Sequence, residues 1–197
     1  MNDTKNVSAR GRPRRFDPEQ GVAVAQSLFH ARGYDAVGVA DITAALGINP
    51  PSFYAAFGSK MGLYGRVLDR YAETGAIPLA DLLRSDRPVA ECLGALLEEA
   101  ARRYASNPET TGCLVVEGIR SDDPDARAAA CGFQQGAEAV IRAFIAERTP
   151  NKAGELTDFI SATMSGMSAK ARTGLPLDRL MAIARMATHA LAQALEG

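Results

Sequence analysis

The chain has 197 residues, of which 47% are hydrophobic and 23% are charged, which is typical of a folded globular protein and unlike a disordered one. Its formal net charge is only −1, so overall electrostatic attraction does not by itself predict a nucleic-acid partner. The sequence contains no apolar run of membrane-spanning length and no apolar core of a secretory signal near its start. We therefore expect a cytoplasmic protein with no membrane partner.

The cysteine and histidine content argues against metal and redox-cofactor chemistry. Three cysteines, Cys92, Cys113 and Cys131, show no CxxC spacing and no nearby histidine cluster. An odd number of cysteines at these spacings disfavours a disulfide framework and a zinc site. The chain also lacks a nucleophile–base pair and a phosphate-binding glycine motif. These patterns predict a protein that is not an enzyme and that holds neither a metal nor another cofactor.

Positive charge is concentrated at the N-terminus. Residues 1–16 contain a single acid, Asp3, beside five basic residues, which are Lys5, Arg10, Arg12, Arg14 and Arg15. We interpret this segment as a flexible basic arm that is attracted to phosphate groups. Basic tails also bind RNA or acidic proteins, so the arm alone does not identify its partner.

Helix signals begin directly after the arm. Asp17 as N-cap, Pro18 at the first helical position and Gly33 as C-cap predict a first helix between them. A short helix is predicted over about 39–46, followed by a tight turn at 47–49. A second short helix runs from Pro50 to about Phe57, and a longer helix covers about 60–74.

Beyond residue 75 the predicted helices are longer. They lie near 88–105, 109–120, 124–148, 153–173 and 176–195. The chain shows neither sustained β-type alternation nor an internal repeat. We therefore predict an all-α protein. A three-helix N-terminal domain occupies residues 17–60, and a C-terminal helical bundle of about five to six helices occupies 61–197.

The segment 39–57 has helix-turn-helix geometry, since two short helices flank a glycine-containing turn. In this motif the second helix enters the major groove of double-stranded DNA, and the residues at its start reach base edges. Similar helix pairs occur in all-α proteins that never contact DNA, but the basic arm next to this pair favours DNA binding. The residues expected to contact DNA are Arg12, Arg14, Arg15, Thr43, Asn49, Pro50, Pro51, Ser52, Tyr54 and Lys60.

The run from Gly11 to Tyr71 resembles the DNA-binding domain of TetR-family transcriptional regulators. The resemblance is clearest in the segment SFYAAFGSK at residues 52–60. It implies a recognition helix near 50–57, with Lys60 on the DNA backbone, and a fourth helix leading to a variable C-terminal domain. It further implies that this domain forms a homodimer and binds a small molecule of unknown identity.

Gly38 is the one departure from the family pattern that we consider important. The family usually has Ser or Thr at this position, where the side chain caps the second helix and contacts phosphate. Glycine still serves as an N-cap at a cost of a few tenths of a kcal/mol, but the hydroxyl contact is lost. The basic arm is one candidate compensation.

The C-terminal domain is expected to bind the small-molecule effector among its central helices. Candidate pocket residues are Tyr104, Cys113, Glu117, Phe133, Met164 and Met167, although each is also explained as ordinary core or surface. Repression is favoured over activation, because blocking a promoter requires only binding to the operator. We therefore expect a repressor that an effector releases from operator DNA.

The last two predicted helices are expected to form a homodimer. The helix 153–173 has a stripe of small residues that permits close approach of another helix, and the last helix is apolar over a wide arc. The expected interface residues are Ala162, Ser165, Gly166, Ala169, Met181, Ala184 and Leu191. The alternative is that both helices complete the core of a single protomer.

Two further hypotheses concern regulation. Cys113 lies at the start of the predicted helix 109–120, where the helix dipole favours a thiolate that responds to oxidants or electrophiles. Small buried cysteines are also common and inert. Alternatively, the protein is a ligand-independent DNA-binding dimer.

Overall fold

The computed structural model describes residues 16–196, and Arg12, Arg14 and Arg15 of the basic arm lie outside this range. The described chain consists of helices joined by turns, without a β-strand between residues 16 and 196. The helices are α1 (Pro18–Arg32), α2 (Val39–Leu46), α3 (Pro50–Phe57), α4 (Lys60–Thr74), α5 (Leu79–Leu82), α6 (Val89–Ala105), α7 (Leu114–Gly118), α8 (Pro124–Ala146), α9 (Ala153–Arg172) and α10 (Leu177–Glu196). A short 3₁₀ turn, Pro150–Lys152, precedes α9. The all-α prediction is confirmed.

The first four helices begin and end at their predicted caps. The carboxylate of Asp17 accepts a hydrogen bond of 3.0 Å from the amide of Glu19 at the start of α1. The side chain of Asn49 accepts one of 2.9 Å from the amide of Ser52 at the start of α3. Because these caps satisfy amides that have no partner within the helix, they fix the helix boundaries locally.

The N-terminal helices share a hydrophobic core with the C-terminal domain. Phe29, Phe53 and Tyr64 are fully buried among α1, α3 and α4. The same core cluster includes Leu114 of α7 and Ala126 of α8. The packing between α4 and α7 is close, since a side chain at Gly118 would place its Cβ 2.2 Å from the hydroxyl oxygen of Tyr64.

The region between α6 and α8 differs from the prediction. A helix was expected over 109–120, whereas α7 covers only Leu114–Gly118. Gly112 has a φ of +81°, in the left-handed region that favours glycine, and its amide donates a hydrogen bond of 2.9 Å to the carbonyl of Tyr104. The chain therefore turns back onto the end of α6 before α7 begins. The single-turn helix α5 was not predicted.

A second hydrophobic core lies in the C-terminal domain. It is built around α6, whose fully buried residues include Leu93, Leu96 and Leu97. Helices α9 and α10 pack against α6 and close this core. None of the helices between residues 16 and 196 is long and apolar enough to span a bilayer.

Candidate nucleic-acid interface and ligand cavity

The N-terminal half of α3 presents polar and compact side chains to solvent. Phe53 and Phe57 are buried and hold α3 against the core. Tyr54 is 52% exposed, and its ring packs edge to face against Phe53 at 5.2 Å between centroids. The residues expected to face DNA from this helix are all exposed, namely Asn49, Pro50, Pro51, Ser52 and Tyr54. The structure thus brings these five residues together on one surface.

Thr43 and Lys60 are less available than these residues. Thr43 is only 7% exposed, and its hydroxyl donates a hydrogen bond to the carbonyl of Ala40. The ammonium of Lys60 lies 3.8 Å from the ring centroid of Tyr34. Burial lowers the pKa of Lys60, and Asp35 and Asp123 oppose that shift. Contact between Lys60 and a phosphate would therefore require its side chain to leave the Tyr34 ring.

The N-terminus of α2 shows how the missing hydroxyl at Gly38 is partly replaced. The carboxylate of Asp41 accepts a hydrogen bond of 2.8 Å from the amide of Gly38. It also pairs with Arg32 at 3.1 Å. These two contacts, the Gly38 amide first, lower the pKa of Asp41. Asp41 therefore supplies half of a capping box, whereas the half that a serine or threonine at position 38 would supply is absent.

A cavity of about 690 Å³ lies among α4, α6, α7, α8 and α9. Four predicted pocket residues line it: Tyr104, Cys113, Phe133 and Met164. Two do not. Glu117 forms an ion pair with Arg172 at 3.2 Å, and Met167 is buried in the core of the C-terminal domain. The volume is in the usual range for small-molecule sites.

The cavity also contains polar residues that the sequence analysis did not single out. Gln134 and Glu138 lie one turn apart on α8 and contact Ser161 of α9. At the other end of the cavity, Tyr71 and Arg103 contribute to the wall. The spacing of Gln134 and Glu138 in a helix otherwise rich in alanine and glycine is a polar signal that sequence inspection could have found.

Three contacts join the N-terminal helices to the C-terminal domain. Arg172, at the end of α9, donates hydrogen bonds to the carbonyls of His30 and Ala31. The ring of His30 is hydrogen-bonded to the carbonyl of Gly112 at 3.2 Å. The carboxylate of Asp35 accepts hydrogen bonds from the hydroxyl of Ser121 at 2.7 Å and from the amide of Asp122. These polar contacts lie around the shared hydrophobic core.

The expected dimer residues divide into two groups. Ala162 and Gly166 are exposed on α9, and Ser165, Ala169 and Met181 are partly exposed. Ala184 and Leu191, by contrast, are buried within the protomer. Their face of α10 belongs to the C-terminal core that α10 forms with α6, so a second copy cannot contact them without opening that core. The more exposed apolar residues of α9 and α10 are Phe159 and Met186.

An exposed helix-turn-helix joined to a separate helical domain with a cavity is the architecture of a transcriptional regulator that binds DNA. Residues 22–67 match the family described as bacterial regulatory proteins, tetR family. The chain belongs to the TetR family, and it is a DNA-binding transcriptional regulator.

The full-length comparisons extend beyond the helix-turn-helix. The chain is 56% identical over 192 residues to the HTH-type transcriptional repressor BdcR of Escherichia coli (strain K12), covering 98% of each protein. It is 31% identical over 189 residues to the HTH-type transcriptional repressor ComR of the same organism, covering 89% of each. A cysteine mutant of the TetR family transcriptional regulator CifR, complexed with 26bp double-strand operator DNA, has a TM-score of 0.82 and 31% identity. That match covers 91% of this chain and 99% of the CifR chain.

Proposed function

We propose that this protein is a repressor that binds double-stranded operator DNA as a homodimer and leaves it when a small molecule occupies the cavity. The names of BdcR and ComR as repressors, and the CifR complex with operator DNA, support the first part. The exposed surface of Asn49, Pro50, Pro51, Ser52 and Tyr54 is the reading surface in this proposal.

The observation that carries the release mechanism is the position of the cavity. Tyr71 and Gly75, at the end of α4, contribute to its wall, while the start of α4 adjoins the reading surface. A ligand in the cavity therefore contacts the helix that connects the two domains. It shifts the equilibrium away from DNA only if it binds the DNA-incompetent conformation more tightly.

The dimer proposal rests on the exposed apolar face of α9 and α10. Met186 is 75% exposed, and Phe159 is also exposed. Ala162 and Gly166 leave room beside them for the close approach of another helix. A dimer also doubles the number of bases that two short recognition helices can read.

Operator binding is tested by fluorescence anisotropy of the full-length protein with DNA fragments from around its own gene, over a series of salt concentrations. We expect one fragment to bind in the nanomolar range. Tyr54→Ala should weaken that binding by about tenfold or more, whereas Leu177→Ala, an exposed site on α10, should not. Weak binding to every fragment that disappears with salt would contradict specific operator recognition.

Effector release is tested with the same operator fragment and a panel of apolar small molecules. A molecule that binds the cavity should raise the thermal unfolding temperature of the protein and lower its affinity for the operator. If no member of the panel changes either quantity, the ligand-independent DNA-binding dimer becomes the better description.

A second candidate function, thiol-based sensing, is favoured by the position of Cys113. Its sulfur is on the cavity wall and accepts a hydrogen bond of 3.5 Å from the hydroxyl of Tyr71. Because α7 is a single short turn that begins after Cys113, the helix dipole contributes little here. Alkylation with N-ethylmaleimide, confirmed at Cys113 by mass spectrometry, should lower operator affinity in the wild type but not in Cys113→Ser. Unchanged affinity after confirmed modification excludes this candidate.

A further inference from the structure

Three polar side chains form a closed hydrogen-bonded cluster in the wall of the cavity. The amide nitrogen of Gln134 donates to Glu138 Oε1 at 2.8 Å and to Ser161 Oγ at 3.2 Å. The hydroxyl of Ser161 donates to the same Glu138 oxygen at 2.5 Å. These bonds use both amide protons of Gln134 and the hydroxyl proton of Ser161. No donor of the three side chains remains for a ligand.

The atoms that remain available in this cluster are acceptors. Gln134 Oε1 is buried and has no hydrogen-bond partner within residues 16–196. The orientation of its amide is fixed by the neighbouring carboxylate, because reversing the amide would place an oxygen against Glu138 Oε1. Glu138 Oε2 likewise forms no hydrogen bond within the described chain. A buried acceptor without a partner is unfavourable, so the cluster suits a ligand that donates hydrogen bonds.

The charge of the cavity wall favours a cation among such donors. Arg103 is positively charged, but its Nε lies 2.7 Å from a carboxylate oxygen of Glu99, and another of its nitrogens donates to the carbonyl of Gly75. Glu138 has no ion-pair partner within residues 16–196. Arg142, one turn further along α8, pairs instead with Asp158. The negative charge of Glu138 is therefore the one that the wall leaves uncompensated.

From this arrangement we infer that the cavity binds a compact apolar molecule bearing a protonated amine. The ammonium donates to Glu138 and Gln134, and the apolar body packs against Phe133, Ile141 and Met164. A carboxylate of the same shape is repelled by Glu138, and an alcohol donates only one hydrogen bond and brings no charge. The inference rests on the proposed function, since it names the ligand class of the same cavity.

The test compares three probes with one apolar body: 2-(1-naphthyl)ethylamine, 2-(1-naphthyl)ethanol and 3-(1-naphthyl)propanoate. Binding to the full-length protein is measured by calorimetry at neutral pH. The amine should bind about tenfold or more tightly than the alcohol, and the carboxylate should bind most weakly. In Glu138→Gln, which removes the charge and retains the shape, the amine should bind within about threefold of the alcohol.

Two measurements keep this comparison specific to Glu138. The alcohol should bind Glu138→Gln as well as it binds the wild type, which shows that the cavity is intact. Glu91→Gln, an exposed site on α6 away from the cavity, should retain the full preference for the amine. Equal binding of amine and alcohol by the wild type, a preference that persists in Glu138→Gln, or failure of all three probes to bind would overturn the inference.

Operator release separates this inference from the proposed function. If the amine binds through Glu138 but leaves operator affinity unchanged, the ligand class is supported and release by the cavity is contradicted. If the neutral alcohol releases the operator as effectively as the amine does, release is supported and the ligand class is contradicted.

Discussion

Arg172 Nη1 lies 2.8 Å from the carbonyl oxygen of His30, although the two residues belong to α9 and α1. The same guanidinium donates to the carbonyls of Ala31 and Thr111, and its Nε pairs with Glu117. The last carbonyls of a helix carry partial negative charge and have no partner within the helix. Arg172 therefore caps α1 from the other domain and fixes the angle between them.

Replacing Arg172 by alanine should lower the free energy of unfolding by about 1.5–3 kcal/mol. The side chain is only 22% exposed, and its removal leaves helix carbonyls and the carboxylate of Glu117 without a partner. Urea unfolding followed by circular dichroism measures the change. Arg142→Ala is the control, because its ion pair with Asp158 is exposed and long at 3.7 Å. It should cost less than about 0.5 kcal/mol, and equal losses in the two variants would contradict the role of Arg172.

The stability of the protein should fall as the pH drops towards the ordinary pKa of histidine. Burial, and secondarily the charge of Arg172, lower the pKa of His30, and the hydrogen bond to Gly112 opposes this shift. The unfolded chain therefore binds a proton at His30 at a higher pH than the folded chain does. The stabilisation from a neutral His30 is complete above a pH of about 6.5 and is lost as the pH falls below it.

Urea unfolding at about pH 7.5 and about pH 5.5 tests this dependence. His30→Gln keeps a hydrogen-bond donor near Gly112 but does not titrate, so its stability should change less between the two conditions. His189→Gln, at an exposed position on α10, should retain the wild-type dependence. If His30→Gln and the wild type lose the same stability on acidification, another group is responsible.

Gly38→Ser should strengthen operator binding. The backbone at this position is extended, with φ −89° and ψ 166°, so a serine fits without backbone strain. Its Cβ would lie 3.3 Å from Asp41 Oδ2, a contact that a small rotation of Asp41 relieves. The new hydroxyl can cap α2 or donate to a phosphate, and we expect an affinity gain of up to about tenfold by anisotropy. Gly38→Ala adds the Cβ without the hydroxyl, so an equal gain in that variant would exclude a hydroxyl contact.

Met186→Glu should dissociate the proposed dimer. The substitution places a charge on an apolar surface that is 75% exposed in the protomer, so the protomer tolerates it while a dimer interface would not. Sedimentation velocity at micromolar concentration measures the outcome. Ala139→Glu adds the same charge to an exposed site on α8 and should leave the mass unchanged. A monomeric wild type, or a dimer that survives Met186→Glu, would contradict the interface on α9 and α10.

The first four helices could be predicted because their boundaries are set locally. Asp17, Asn49 and the glycines that follow α1, α2 and α3 specify caps that do not depend on distant residues. The exposed reading surface follows from the same local pattern, since Phe53 and Phe57 alternate with polar residues at helical spacing.

The regions that were not predicted depend on contacts between distant parts of the chain. The late start of α7 is imposed by the return of Gly112 onto α6. An apolar stripe shows that a helix face is buried but does not show what buries it. Ala184 and Leu191 therefore fit a dimer interface in the sequence, whereas α6 covers them in the fold. The same ambiguity placed Met167 in the pocket.

The presence of Leu114 and Ala126 in the N-terminal core has a consequence for building chimeric regulators. A helix-turn-helix cut out of this chain at residue 60, or even at the end of α4, would lose two of the side chains that complete its interior. Exchanging DNA specificity between family members should therefore succeed more often when the grafted head and its host agree at the surfaces of α7 and α8 that face α4. Matching those surfaces is a design constraint separate from the choice of recognition helix.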